Sequence, residues 1–180
     1  DAGTRDTEPE PERPRPMTSA GTHDERILVS LTHITGRRVR LEPLTDDHAP
    51  ALLAAVDDAD AIFRWTGAAI ENLDDAASFV GAATADTGRL AYAIVDTGTG
   101  TVVGTTSYYL IEPAHRKLTI GYTWLSRSAQ GTGINAESKL LLLRRAFEDL
   151  GAVRVEWHTD ERNAHSRGAI AKLGAEFEGL

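Results

Sequence analysis

Positions 37–44 alternate between polar and apolar side chains with period two, the pattern of a strand with one buried face. Thr45-Asp46-Asp47 then supplies an N-cap and an acidic first turn. A short helix over 48–57 follows, with Leu52, Leu53 and Val56 as its apolar positions. Asn72-Leu73-Asp74-Asp75 opens a second helix, through Ala83. Positions 90–95, 101–111 and 118–125 read as three strands of a meander, separated by turn-forming residues at 96–100 and 112–116. The next segment, 135–150, is the strongest helix, with Leu140 to Leu143, Ala146, Phe147 and Leu150, closed by Gly151. Positions 153–158 form a strand, 163–173 a helix closed by Gly174, and 175–178 the start of another strand. The order β-α-α-β-β-β-α-β-α-β predicts an α/β layer: a mixed, mostly antiparallel sheet with helices on both faces.

Composition refines this picture. Residues 1–26 hold Pro9, Pro11, Pro14 and Pro16 among charged residues, and nothing apolar larger than Met17. Such a segment buries too little to offset its ordering entropy, so it is expected to be a disordered extension to a domain over 27–180. With 180 residues, 41% of them apolar, the chain is long enough for one domain with a real core. It has no cysteine, which excludes a disulfide scaffold, a Cys-ligated metal and a cysteine nucleophile. The six histidines show no metal-ligand spacing, so no metal is expected. The net charge of −8, from 19 basic and 27 acidic residues, argues against a nucleic-acid partner. No apolar run is long enough to span a membrane, and the first residues lack an apolar signal core. The expected location is therefore cytoplasmic.

Candidate chemistry gathers at Gln130-Gly131-Thr132-Gly133-Ile134-Asn135, between a strand and the long helix. Two glycines let consecutive backbone N–H groups face outward. With the positive end of the helix dipole they form an anion site. The Gly-Lys-Ser/Thr ending of a Walker loop is missing, as is the third glycine of a dinucleotide fingerprint. From the residues alone, a tight turn and a site for nucleotides or phosphate esters both remain open.

The loop, the meander before it and several later segments together resemble the GNAT N-acetyltransferase superfamily, in particular its RimJ/RimL-like branch. That branch includes ribosomal-protein N-terminal acetyltransferases. The resemblance is carried by Arg38-Val39-Arg40-Leu41-Glu42-Pro43-Leu44, Ile120-Gly121-Tyr122-Thr123-Trp124-Leu125, Gly131-Thr132-Gly133-Ile134-Asn135-Ala136-Glu137-Ser138-Lys139, Arg154-Val155-Glu156-Trp157, Asp160-Glu161-Arg162-Asn163-Ala164-His165-Ser166 and Ile170-Ala171-Lys172-Leu173-Gly174-Ala175. It spans residues 35–180.

The resemblance implies the acyl-CoA N-acyltransferase fold and an acetyl transfer from acetyl-CoA to a primary amine, a protein N-terminus or a small molecule. The cosubstrate would lie in a wedge between the strands at 118–125 and 153–158. Its pantetheine arm would pair with backbone at Tyr122, Thr123, Trp124 and Leu125, where an N–H near Trp124 or Leu125 would polarise the thioester carbonyl. Its pyrophosphate would rest on Gln130, Gly131, Thr132, Gly133, Ile134 and Asn135. By the same resemblance Asn163 would hold the pantetheine and Ser166 would protonate the leaving thiolate. Relatives carry a glutamate where Thr119 stands, so the base is displaced here, with Glu137 and Glu112 as candidates by proximity. Relatives also continue beyond Leu180 with strands that close the sheet. Ending there would leave the C-terminal strands truncated and an edge for a second copy to cover. The competing reading is a catalytically silent acyl-CoA-binding or interaction domain of the same fold.

Overall fold

The computed structural model describes residues 31–179. The expected extension over 1–26 and the first residues of the predicted domain lie outside them. Among the described residues six strands form one sheet in sequence order: β1 (Ile34–Thr35), β2 (Val39–Pro43), β3 (Leu90–Asp96), β4 (Thr101–Glu112), β5 (Lys117–Leu125) and β6 (Arg154–Glu156). The helices are α1 (Ala49–Ala55), α2 (Ala59–Phe63), α3 (Leu73–Ala85), α4 (Ile134–Arg144) and α5 (Ala164–Ala171). Neighbours from β1 to β5 are antiparallel, and β5 runs parallel to β6. The α4 crossover makes that parallel pair possible, since no hairpin can join parallel strands.

Each face of the sheet has its own core. Val39, Leu41, Tyr92, Ile94, Tyr108, Leu118 and Ile120 meet Leu141 and Leu142 of α4. Tyr108 Oη also donates to the Leu142 carbonyl. On the opposite face, Leu44, Ala91, Ala93 and Trp124 pack with Leu52, Ile62, Phe63, Ala76 and Val80 from α1 to α3. Tyr108 and Tyr109 alternate across the sheet: Tyr108 is fully buried, whereas Tyr109 is half-buried on the other face.

The expected helix starts hold. Asn72 Oδ1 accepts from Asp75 N at 3.0 Å, and Thr45 precedes a 3₁₀ turn that runs into α1. Other expectations are corrected. The long helix is α-helical only to Arg144 and finishes in a π turn over Arg145–Asp149. The strand expected at 153–158 keeps a ladder only over Arg154–Glu156. Residues 175–178 form no strand, having no ladder partner among the described residues. The pattern also missed β1 and α2, which are too short to show a period.

Candidate functional site

Two departures from regular sheet define the site. The β5–β6 pairing runs Lys117↔Arg154, Leu118↔Val155 and Thr119↔Glu156, and then ends. Beyond that rung β5 continues to Leu125 without β6, so its backbone is open on that side. The second departure is a bulge on β5. Ser107 pairs with Gly121 and Thr105 with Trp124, so Tyr122 and Thr123 together oppose Thr106. Tyr122 takes a left-handed backbone, φ 49°, and its carbonyl accepts from Thr105 Oγ1 at 3.2 Å.

The bulge shifts the alternation by one: Ile120 faces the α4-side core, yet Tyr122, two residues on, faces the other side. The exposed Tyr122 ring lies under the Arg89 guanidinium, 3.9 Å from its centroid, and edge-on to Tyr109 at 5.0 Å. Arg89 Nε donates to Ser107 Oγ at 2.8 Å, and burial of the guanidinium lowers its pKa. Thr123 points to the α4 face, where Lys139 Nζ donates to Thr123 Oγ1 at 2.6 Å and to Thr106 Oγ1 at 2.9 Å. Lys139 is 5% exposed, and burial pulls its pKa down to about 7. Trp124 is buried, with its ring edge-on to Phe63 at 5.4 Å. Its carbonyl packs against Gly104, where a Cβ would come within 2.0 Å. Leu125 belongs to the α4-side core.

After β5 the chain makes a 3₁₀ turn, Arg127–Ala129, and enters the glycine loop. Gln130 Nε2 donates to the Leu125 carbonyl at 3.3 Å, and Thr132 Oγ1 to the Ala129 carbonyl at 2.7 Å. Gly131 has φ 76° and Gly133 φ 94°, left-handed conformations that glycine adopts without penalty. Gly131, Thr132 and Gly133 are exposed, Gln130 and Asn135 half-buried, and Ile134 buried as the anchor of the first turn. The first N–H groups of α4 have no intrahelical acceptor, so the loop presents donors and a helix N-terminus to solvent.

Two carboxylates clamp this loop, and neither role was visible in the sequence. Asp57 accepts from Arg127 N at 2.6 Å and Ser128 N at 2.9 Å. Partial burial opposes its ionisation, but the Ser128 and Arg127 hydrogen bonds prevail and hold the pKa below the usual value. Glu137, expected as a base, accepts instead from the backbone N–H groups of Arg37 and Arg38. Gly36 makes room for it, since a Cβ there would lie 2.4 Å from Glu137 Oε1. Glu137 thus ties α4 to the β1–β2 turn. Arg38 adds a bond from Nη1 to the Thr132 carbonyl, 2.8 Å. The other sequence candidate, Glu112, pairs with His115 and Lys117 at the opposite end of β5.

Asn163 is the N-cap of α5, with Oδ1 accepting from Ser166 N at 3.0 Å. Both residues are half-buried. They share one helical turn beyond β6, and no described hydrogen bond joins them to β5 or the loop. Among the described residues no cluster of side chains suited to a metal occurs, and no helix is long and apolar enough to cross a membrane.

The family model of the acetyltransferase (GNAT) domain matches residues 38–176, and the chain belongs to this family of transferases. Among solved structures, a GCN5-related N-acetyltransferase from Brucella melitensis superposes with a TM-score of 0.78 at 29% identity, covering 82% of this chain and 69% of its own. A protein from T. thermophilus, provisionally assigned as an acetyltransferase, is 36% identical with a TM-score of 0.75, over 84% of this chain and 79% of its own. The microcin C7 self-immunity acetyltransferase MccE, solved with acetyl-CoA and AMP, shares the fold at 21% identity, with a TM-score of 0.68 over 80% and 82% of the two chains. No curated protein sequence matches.

Proposed function

We propose that this acetyltransferase moves the acetyl group of acetyl-CoA to a primary amine by direct attack on the thioester. The observation that carries the reading is the open side of β5 leading into the exposed glycine loop. Unpaired strand backbone beyond Thr119↔Glu156 suits the two amides of a pantetheine arm. The donors of Gly131 to Asn135, at the positive end of α4, suit a pyrophosphate dianion. A thioester carried on that arm would reach the bulge at Tyr122–Thr123, where the β4 ladder is interrupted. Acetyl-CoA is the acyl donor found with MccE, which has this fold.

In the reaction the amine lone pair attacks the carbonyl carbon, a backbone N–H between Tyr122 and Leu125 stabilises the oxyanion, and the C–S bond breaks. Asn163 is assigned to the pantetheine arm, and Ser166, one turn further, to the departing sulfur. The sequence segments shared with the RimJ/RimL-like branch favour a peptide or protein N-terminus as acceptor, with small amines second, in a cytoplasmic enzyme. Glu137 is given no part in the chemistry, because its carboxylate is engaged by the β1–β2 turn.

The test is a thermal melt with acetyl-CoA. At about 100 times its dissociation constant the cosubstrate adds ~2.7 kcal/mol to stability. An unchanged Tm at saturating acetyl-CoA sinks the reading. A rise without thiol release from any amine favours the silent acyl-CoA-binding domain instead.

A further inference from the structure

We infer that His158, reached through Tyr109, receives the proton that the acceptor amine loses, while Glu156 steadies the imidazolium. The inference rests on the acetyl-transfer reading above. Its geometry is independent of that reading. Tyr109 Oη lies 3.3 Å from His158 Nδ1, the two rings edge-on with centroids 6.1 Å apart. The Tyr109 side chain therefore crosses from β4 over β5 to the segment just past β6. Gly121 permits the crossing, because a Cβ there would sit 2.6 Å from Tyr109 Cε1.

The bridge lies at the opening. Thr119, the last residue of β5 paired with β6, stands opposite Tyr109 on one side and Glu156 on the other. Gly121 and His158 each come two residues later, where the strands have parted. Tyr109 thus brings a hydroxyl to the place where the thioester and an incoming amine would meet. A hydrogen bond somewhat long before substrate arrives is usual for catalytic pairs.

The groups facing His158 fix its role. Tyr109 is held above the ordinary phenol pKa by burial, with Tyr122 and Glu156 adding to the effect, so it stays protonated and donates to Nδ1. The ring proton of neutral His158 is then on Nε2, 3.9 Å from Glu156 Oε2. Glu156 itself accepts from Arg154 Nε at 2.6 Å and lies 3.6 Å from Lys117 Nζ. The Arg154 hydrogen bond, against partial burial and with help from Lys117, lowers its pKa. It is a fixed anion and a poor base. His158 is 57% exposed and can pass its proton to water.

The step balances. As the amine nitrogen bonds to the carbonyl carbon, its proton goes to Tyr109 Oη and the Tyr109 proton goes to His158 Nδ1. The electron pair of the C–S bond leaves with sulfur, which takes a proton from the Ser166 side or from solvent. The products are the amide and the free thiol, with His158 discharging to water.

The test compares the parent, His158→Gln and Tyr109→Phe. Thiol release from acetyl-CoA is followed from pH 6 to 9, with a short peptide bearing a free N-terminal serine and with spermidine as probe amines. His158→Gln lowers kcat by about 10²–10⁴-fold, while the melting shift given by acetyl-CoA is unchanged. Tyr109→Phe lowers kcat without raising the KM for acetyl-CoA. A His158→Gln enzyme within threefold of the parent overturns the relay. Imidazole ¹⁵N NMR of the acetyl-CoA-bound protein decides even if neither probe is acetylated: the neutral ring is expected to carry its proton on Nε2, and a proton on Nδ1 overturns the proposal. Loss of the acetyl-CoA melting shift in the parent itself would instead strike at the acetyl-transfer reading.

Discussion

Lys139 Nζ donates to Thr123 Oγ1 across 2.6 Å, fastening the buried side of α4 to the bulge of β5. The second acceptor is Thr106 Oγ1, itself 2.9 Å from Thr123 Oγ1. Among the described residues no carboxylate pairs with this ammonium, so two hydroxyls take the place of its water.

This arrangement makes stability depend on pH. Lys139 titrates at about 7 when folded, against 10.5 for the ordinary group, because burial disfavours the charge. Between those values the unfolded chain binds more protons, so unfolding becomes harder as pH rises. The contribution is complete above the unfolded pKa and is lost as pH falls to about 7, a span of about 5 kcal/mol. Lys139→Met should remove the slope and be more stable than the parent near pH 7. Urea melts of both proteins at pH 6.5, 8 and 9.5 test this; parallel curves at all three would refute it.

Glu137→Ala should act on the fold and leave the chemistry alone. It leaves the Arg37 and Arg38 amides without their carboxylate, a loss of about 1–2 kcal/mol. The pH dependence of kcat should keep its shape. A denaturation midpoint equal to the parent's, or an altered pH profile, counts against the clamp.

Gly133→Val should weaken acetyl-CoA binding and lower stability only modestly. The backbone there sits at φ 94°, which costs an L-residue about 1–2 kcal/mol. A Cβ meets only the end of Arg38, at an ordinary 3.6 Å, so the core is untouched. Titration calorimetry with acetyl-CoA checks it. Parent-like affinity would reduce the loop to a turn.

On the proposed assignment of Ser166 to the departing sulfur, Ser166→Ala should bind acetyl-CoA like the parent and turn it over more slowly, since only an interaction made in the transition state is removed. Its backbone N–H remains, so the bond to Asn163 Oδ1 and the α5 cap survive. Steady-state kinetics decides. An unchanged kcat assigns the sulfur's proton to another source.

Gly104→Ala should be among the most destabilising single changes. The added methyl meets the Trp124 carbonyl at 2.0 Å and Leu125 Cα at 2.9 Å, both backbone atoms with no rotamer to yield. The β4–β5 ladder would have to part beside the bulge. A melting temperature within a degree or two of the parent would contradict that packing.

Periodicity made much of this fold legible. The Val39–Pro43 strand, the meander and the leucine-rich helix follow from spacing, and Asn72 marks its helix start as its residue type predicts. What escaped was set by tertiary contact. Nothing local distinguishes Lys139 from a solvated lysine, apart from its neighbour Ser138 and the apolar Leu141 and Leu142 on the same buried face. His158 has no metal-ligand spacing to mark it; its link to Tyr109 depends on Gly121 and joins β4 to the segment just past β6, far apart in sequence. The glycine loop was readable because glycine and a helix start are local signals. The separation of β5 from β6 reads in sequence as one continuous extended stretch, because extended backbone and paired backbone carry the same pattern.

The two carboxylate clamps bear on how a ligand arrives. Asp57, from the segment after α1, holds the chain just before the glycines, and Glu137 holds it just after them against the β1–β2 turn. The donors are thus set in place on both flanks in the free protein. An anion docking there surrenders little chain entropy, so its affinity is drawn from contacts and not spent on ordering a loop. Stopped-flow traces of acetyl-CoA association should accordingly show a single phase whose rate rises linearly with concentration, without the plateau that a slow rearrangement imposes.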